Sequence, residues 1–315
     1  MPLAASIGSE DPTHRPDSSQ PSPGWMAAVP FFLSAFFFLS GFFALFAALP
    51  ILFCYLQKGR KLTVLAAITN TVIVALAEGA IGVIFYFVLV LSLSIPLAEA
   101  LKRKKSIEKA VLLSLGAMIL ASVVGGLIYS QVHHVNPILE FYDRISHFAD
   151  LMIQSIPPHS GLFSSTDLAE NKHEMLVILP AFMANCALFL VWINLVAVLR
   201  MNPCGIREHL GLDAGYLKHW KAPEFLIWPT LFVGFFLVID FGFVSEIAIN
   251  VFRFLMAIYA IQGLSILSYF LDLWAVRGFL RWVGFIISVF LMMPLVLCLG
   301  FFDLWFDFRS KFRQS

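Results

Sequence analysis

The sequence predicts an all-α membrane protein, a polytopic bundle of about eight transmembrane helices with one outer amphipathic helix. Three observations predict it. The 315 residues are 60% hydrophobic and only 13% charged, with a mean hydropathy of +0.86, far from the balance of a soluble domain. Apolar runs of helix-spanning length recur along the chain. Short loops rich in Lys and Arg separate them in an alternating pattern. The net charge of +1 gives no footprint for a nucleic-acid partner.

Residues 1–24 combine Ser, Pro and charge with nothing apolar to bury, so a disordered tail is expected there. No basic n-region precedes the long apolar run that follows, so it does not read as a signal peptide. The domain from 25 to 306 begins with an apolar run at 26–56, read as one span broken at Pro50. Residues 62–101 read as two short spans hinged near Ala77–Gly79, and further spans are expected at about 107–130, 175–199, 225–243, 247–270 and 280–302. A basic tail, 307–315, closes the sequence.

Between the fourth and fifth spans lies an extramembrane insertion, 131–174. Within it Asn136 reads as an N-cap and Pro137 as the first helical residue. Glu140, Asp143, Arg144, His147, Asp150 and Gln154 then recur at helical spacing, with Ile138, Phe141, Ile145, Phe148 and Met152 on the other side. That is an amphipathic helix for a bilayer surface or a bundle flank.

Lys58, Arg60 and Lys61 mark one loop as cytoplasmic, as do Lys102, Arg103, Lys104 and Lys105. The acidic 131–174 segment then falls outside, and the 200–224 loop with Arg200, Arg207, Lys218 and Lys221 falls inside. Three more spans would carry the C-terminus outside, against the preference of its own basic residues. A break at Pro294 that returns the last segment is the alternative. The pattern reads as a multi-pass membrane localisation.

Polar residues inside spans are costly and tend to face partners. Glu246, Asn250 and Arg253 share a helical face, with Asp240 nearby. They read as a pocket for an anionic or zwitterionic solute, or as a structural ion pair with Arg253 reaching the interface. Asn70 with Thr71, Glu78 and Gln262 divide in the same way between solute contacts and helix-to-helix hydrogen bonds. Gly263 would allow two helices to approach closely. The terminal Asp303, Trp305, Asp307 and Arg309 read either as a helix-end ion-pair cluster or as a docking point for a partner. Candidate substrate-binding residues are therefore Asn70, Glu78, Asn250, Arg253 and Gln262, and candidate docking residues the four at the end.

His133, His134 and His147 do not converge at their spacing, and Cys54, Cys186, Cys204 and Cys298 form no CxxC pair. No metal site, disulfide framework or cofactor is expected. No P-loop, GxSxG or HExxH motif occurs, since His173-Glu174 lacks the second histidine, so the chain does not read as an enzyme.

Several stretches together carry a resemblance: "ALFAALPILFCYLQKGRKLTVLAAITNTVIVAL", "ILPAFMANCALFLVWINLVAVLR", "KAPEFLIWPTLFVG", "NVFRFLMAIYAIQGLSILSYFL" and "LGFFDLWFDFR". This series resembles the YybS-like bacterial membrane proteins, a family of unknown function, over most of 26–310. That family is in turn similar to the substrate-capturing S-components of energy-coupling-factor transporters. The resemblance implies a bacterial inner membrane as the location, and there a membrane-embedded binder of a small solute that works with a separate energising membrane protein. This chain departs from S-components in reading as about eight spans rather than six, and in carrying the outer insertion. The rival expectation is a non-transporting scaffold or assembly factor that docks protein partners through the amphipathic helix and the terminal cluster.

Overall fold

The computed structural model describes residues 30–155, 172–213, 215–239 and 242–311. The expected N-terminal tail, Asp240 and the last residues of the basic tail lie outside the described residues, as does part of the 131–174 insertion. The described residues are helical, with no strand among them. The first half comprises α1 (Pro30–Leu39), α2 (Ala48–Lys58), α3 (Arg60–Tyr86), α4 (Ser92–Lys102), α5 (Ile107–His133) and α6 (Pro137–Ser155). The second comprises α7 (Lys172–Val177), α8 (Leu179–Met201), α9 (Ile206–Leu210), α10 (Tyr216–His219) and α11 (Ile227–Val238). It closes with α12 (Phe243–Leu273), α13 (Phe279–Phe290), α14 (Met293–Phe306) and α15 (Phe308–Lys311). Among the described residues, five helical stretches are long and apolar enough to cross a membrane, and six if the bent pair α13–α14 counts as one.

The longest stretch joins α3 and α4 through a π turn at Phe87–Leu91 and runs for 43 residues. Straight, it would reach about 65 Å at 1.5 Å per residue. It folds back instead. Gly79 takes φ 69° and ψ −157°, a conformation essentially restricted to glycine. Asn70 accepts a hydrogen bond from the Ala35 amide at 2.7 Å, while the Tyr86 hydroxyl meets that of Ser34 at 2.7 Å. In a straight helix Asn70 and Tyr86 would stand roughly 24 Å apart, yet they grip adjacent residues. At the far end, Tyr55 donates to Glu99, and the Lys102 ammonium lies 4.9 Å from the Tyr55 ring centre. The end of α4 thus returns to the Gly59 turn where α3 begins. This is a helical hairpin hinged where the small residues predict it.

The first apolar run differs from expectation. It is not one span broken at Pro50, because Pro50 sits in the first turn of α2, where its missing N–H costs little. The break lies upstream. The Ser34 hydroxyl donates to the Ala47 carbonyl at 2.6 Å, so α1 and α2 double back on each other across residues 40–46. Asn194 of α8 donates to the Leu45 carbonyl at 2.9 Å, which satisfies backbone released by the turn. Irregular backbone in an apolar setting requires such partners.

Ser106 caps α5, and Asn136 caps α6 by accepting from the Ile138 amide at 3.0 Å. Helix α6 begins at Pro137 as its sequence predicts. It is held to α5 by Tyr129 on Glu140 at 3.1 Å and to α7 by Lys172 on Asp150 at 2.7 Å.

The last segment also departs from expectation. Helices α13 and α14 meet at 90°, with Pro294 in the first turn of α14. Both ends of this segment are tied to Lys218. Arg281 of α13 pairs with Asp272, which pairs with the Lys218 ammonium. Arg309, beyond α14, donates to the Lys218 carbonyl at 3.0 Å. Both ends of the segment thus lie beside Lys218, and Arg309 packs on the 200–224 loop. The count of five or six spanning-length stretches among the described residues is fewer than the eight expected. The Pro294 break, named as the alternative, permits the bend. The expected total of eight counted this segment and the α1–α2 run as crossings.

Candidate functional site

The polar residues of the spans are consumed by the fold in different degrees. Asn70 is fully buried, with its Nδ2 on the Ala66 carbonyl at 2.7 Å and its Oδ1 on the Ala35 amide. Asn250 bridges α12 to the start of α8. It accepts from the Ala181 amide and donates to the Val177 carbonyl, both at 2.8 Å. Glu78 is exposed at the tip of the hairpin beside Gly79. Arg253 is exposed, and among the described residues its guanidinium forms no ion pair, while its carbonyl receives Asn185 at 3.5 Å. The five candidate substrate residues thus do not converge on one cavity.

Gln262 belongs to a different assembly, a buried lock that joins α12, α14, α15 and the α10 segment. Its Oε1 accepts from the Ala222 amide at 3.0 Å, and its Nε2 donates to Asp303 Oδ2 at 3.0 Å. Asp303, 0% exposed, also receives Arg309 Nη2 at 2.6 Å and the Phe308 amide at 2.9 Å. Arg309, 5% exposed, donates through Nη1 to the carbonyls of Lys218 and Trp220 at 3.0 Å each. Ser265 donates to the Leu217 carbonyl at 2.7 Å beside them. The charged pair is neutralised and hydrogen-bonded on nearly every side, the condition under which buried charge is tolerated.

Of the four candidate docking residues, Asp303 and Arg309 are therefore enclosed in the lock and present no surface. Asp307 remains half-buried in an ion pair with Lys221 at 2.8 Å, whose ammonium holds the Asp307 carboxyl below the usual carboxylate range. Trp305 is exposed and its ring lies 5.1 Å from that of Phe301. Two glycines let the lock close. A Cβ on Gly300 would stand 1.9 Å from the Tyr259 carbonyl oxygen, and one on Gly263 2.0 Å from that of Val296. Sequence reasoning placed Gly263 at a close approach but missed Ser265, Lys218 and Trp220. Their part is played by backbone carbonyls and one hydroxyl, which leave no trace in spacing.

A wide cleft lies at the opposite end of α12. It measures about 540 Å³ and is walled by α6, α7, the start of α8 and the first turns of α12. Its polar lining is Tyr142, His173, Glu246 and Asn250, set among Leu176, Val177, Phe243 and Ile247. The His173 ring stands 3.9 Å from the Glu246 carboxylate. Asn250 is committed to backbone, so Glu246, His173 and Tyr142 are the groups left to meet a ligand. Arg253 does not line this cleft. Among the described residues, no group of three His, Cys, Asp or Glu side chains could hold a metal ion, and His133 instead lies against the Tyr129 ring at 4.3 Å.

Comparison with known proteins gives one match. A family model described as "Predicted membrane protein (DUF2232)" covers residues 26–304. The searches of curated proteins and of solved structures each return no match.

Proposed function

The chain belongs to the DUF2232 family of predicted membrane proteins, and from that premise we propose that it captures a small solute at the outer face of a bacterial inner membrane. The proposed topology has six crossings. The hairpin α3–α4 supplies two, and α5, α8, α10–α11 and α12 supply one each. The α1–α2 and α13–α14 segments enter and return. This arrangement puts Lys58–Lys61, Lys102–Lys105, the 200–224 loop and Arg309 on one face, in accord with the positive-inside pattern.

The observation that carries the reading is the cleft of about 540 Å³ beside α12. It has the size and the mostly apolar lining of a small-molecule site. Its one carboxylate, Glu246, with the His173 ring and Tyr142 hydroxyl, suits a solute with a cationic or hydrogen-bond-donating group. The cleft shares no lining residue with the lock around Asp303, and in the proposed topology it lies on the outer side. Capture without a reaction is the role assigned, and a separate energising membrane protein would complete uptake.

Native mass spectrometry of the gently solubilised chain tests this. A stoichiometric small adduct that is lost in Glu246→Gln and kept in Arg253→Gln is the expected result. An adduct indifferent to Glu246→Gln, or a clean mass with no adduct, would sink the reading. The scaffold reading keeps one observation in its favour. Helix α6 buries none of its residues, and Ile138, Leu139, Phe148 and Leu151 of α6 are exposed. A retained protein partner in place of a small adduct would favour it.

A further inference from the structure

A second cavity opens at the basic face, remote from the outer cleft. It encloses about 190 Å³ between the end of α8, the α9–α10 loop, α12 and α13. Arg200 and Arg207 line it, and Trp192, Tyr216 and Phe285 form aromatic walls. Arg207 Nε is sealed from solvent and has no hydrogen-bond partner. An unpaired buried guanidinium N–H is expensive, and the same side chain lines the cavity.

The charges are unevenly matched. Lys218 on the same wall is neutralised by Asp272. Arg200 and Arg207 form no ion pair among the described residues, and Asp213 is the single carboxylate in the lining. Two guanidinium groups beside a mostly apolar wall select a planar-donor acceptor such as phosphate. The cavity has room for a head of that size but for no long chain. Next to it, α13 turns Arg281 and Phe285 toward the bundle and leaves Phe279, Leu280, Trp282 and Phe290 exposed. An apolar helix face thus adjoins an anion-selective cavity.

We propose that this cavity binds the phosphate head of an anionic phospholipid of the inner leaflet, with the acyl chains laid along the exposed face of α13. Basic pockets between spanning helices on the cytoplasmic side are suited to such heads. The site rests on the membrane setting of the chain and not on the solute cleft.

The full chain, exchanged into neutral detergent, is offered phosphatidylglycerol, phosphatidylcholine or inorganic phosphate, and retained molecules are counted by native mass spectrometry. One phosphatidylglycerol should be kept about tenfold more than phosphatidylcholine, and Arg207→Gln and Arg200→Gln should each reduce retention about fivefold. Arg207→Lys should keep part of it, and Lys104→Gln, an exposed loop cation, should leave it unchanged. If Arg207→Gln does not fold, the exposed Arg200 carries the test alone. Equal retention of the two lipids, or equal retention by wild type and both Gln variants, overturns the proposal. Inorganic phosphate bound with the same arginine dependence and no lipid preference also overturns it, and assigns the cavity to free phosphate.

Discussion

Asp303 and Arg309 stand six positions apart in sequence and share one hydrogen bond at 2.6 Å in a region closed to solvent. Removing one member strands the other, so Asp303→Ala or Arg309→Ala should each destabilise by about 3–5 kcal/mol. The double variant should cost less than the two added, and thermal unfolding of all three in one detergent would measure the coupling. Strict additivity would deny the pair. Asp307 gives a weaker, pH-dependent contribution. Its folded carboxyl is held low by Lys221, so its stabilisation is complete above the unfolded value near 3.9 and disappears as pH falls through the lowered one. The pair is half exposed, which limits the effect to about 1 kcal/mol or less. Unfolding midpoints should therefore drop more between about pH 4 and 2 in wild type than in Asp307→Asn. At this scale the sequence was partly legible. The acidic and basic residues of the ending could be seen as an ion-pair cluster, but Gln262, some forty positions earlier, could not be assigned to them. Spacing tells which residues share a helix face and not which helices meet.

Among the elements, α12 and α14 depend on bare backbone at their crossing. Gly300→Ala should destabilise by about 1–3 kcal/mol through overpacking. Gly116→Ala, in α5 with open space around it, should be neutral or stabilising by up to about 1 kcal/mol. Chemical or thermal unfolding compares them, and equal effects would contradict the close contact. The hairpin hinge at Gly79 was legible because a small residue between two apolar runs marks where a helix can reverse. The cap at Asn136 was legible because its side chain bonds within its own turn. The reversal at residues 40–46 was not, and the bend at 291–292 was legible only as the alternative that Pro294 offered. Apolar composition looks the same in a helix that crosses and in one that returns, and only distant partners such as Asn194 and Lys218 distinguish them.

For the molecule as a whole, the grouping of basic loops on one face makes a prediction that labelling can check. In a background lacking Cys54, Cys186, Cys204 and Cys298, a cysteine at Lys104 and one at Ser310 should react with an impermeant thiol reagent from the same side. One at Asp143 should react from the other. Ser310 reporting with Asp143 would restore a crossing by the last segment and remove the proposed six. The Lys- and Arg-rich loops at 58–61, 102–105 and 200–224 are the part of the sequence from which that arrangement is read. At the ending the span count and the basic residues point to opposite sides, and the labelling of Ser310 decides between them.

The order in which the lock is assembled has a consequence for biogenesis. Helix α12 leaves the ribosome with Gln262 and Ser265 before their charged partners exist. Arg309 follows Gln262 by 47 positions, roughly 2–9 s at 5–20 residues per second. During that interval α12 enters the bilayer with polar groups still seeking acceptors, and the 218–222 segment waits without its clamp. Maturation of this end is thus timed by translation, and a nascent chain paused before Asp303 would expose an unfinished helix to the membrane's quality-control proteases.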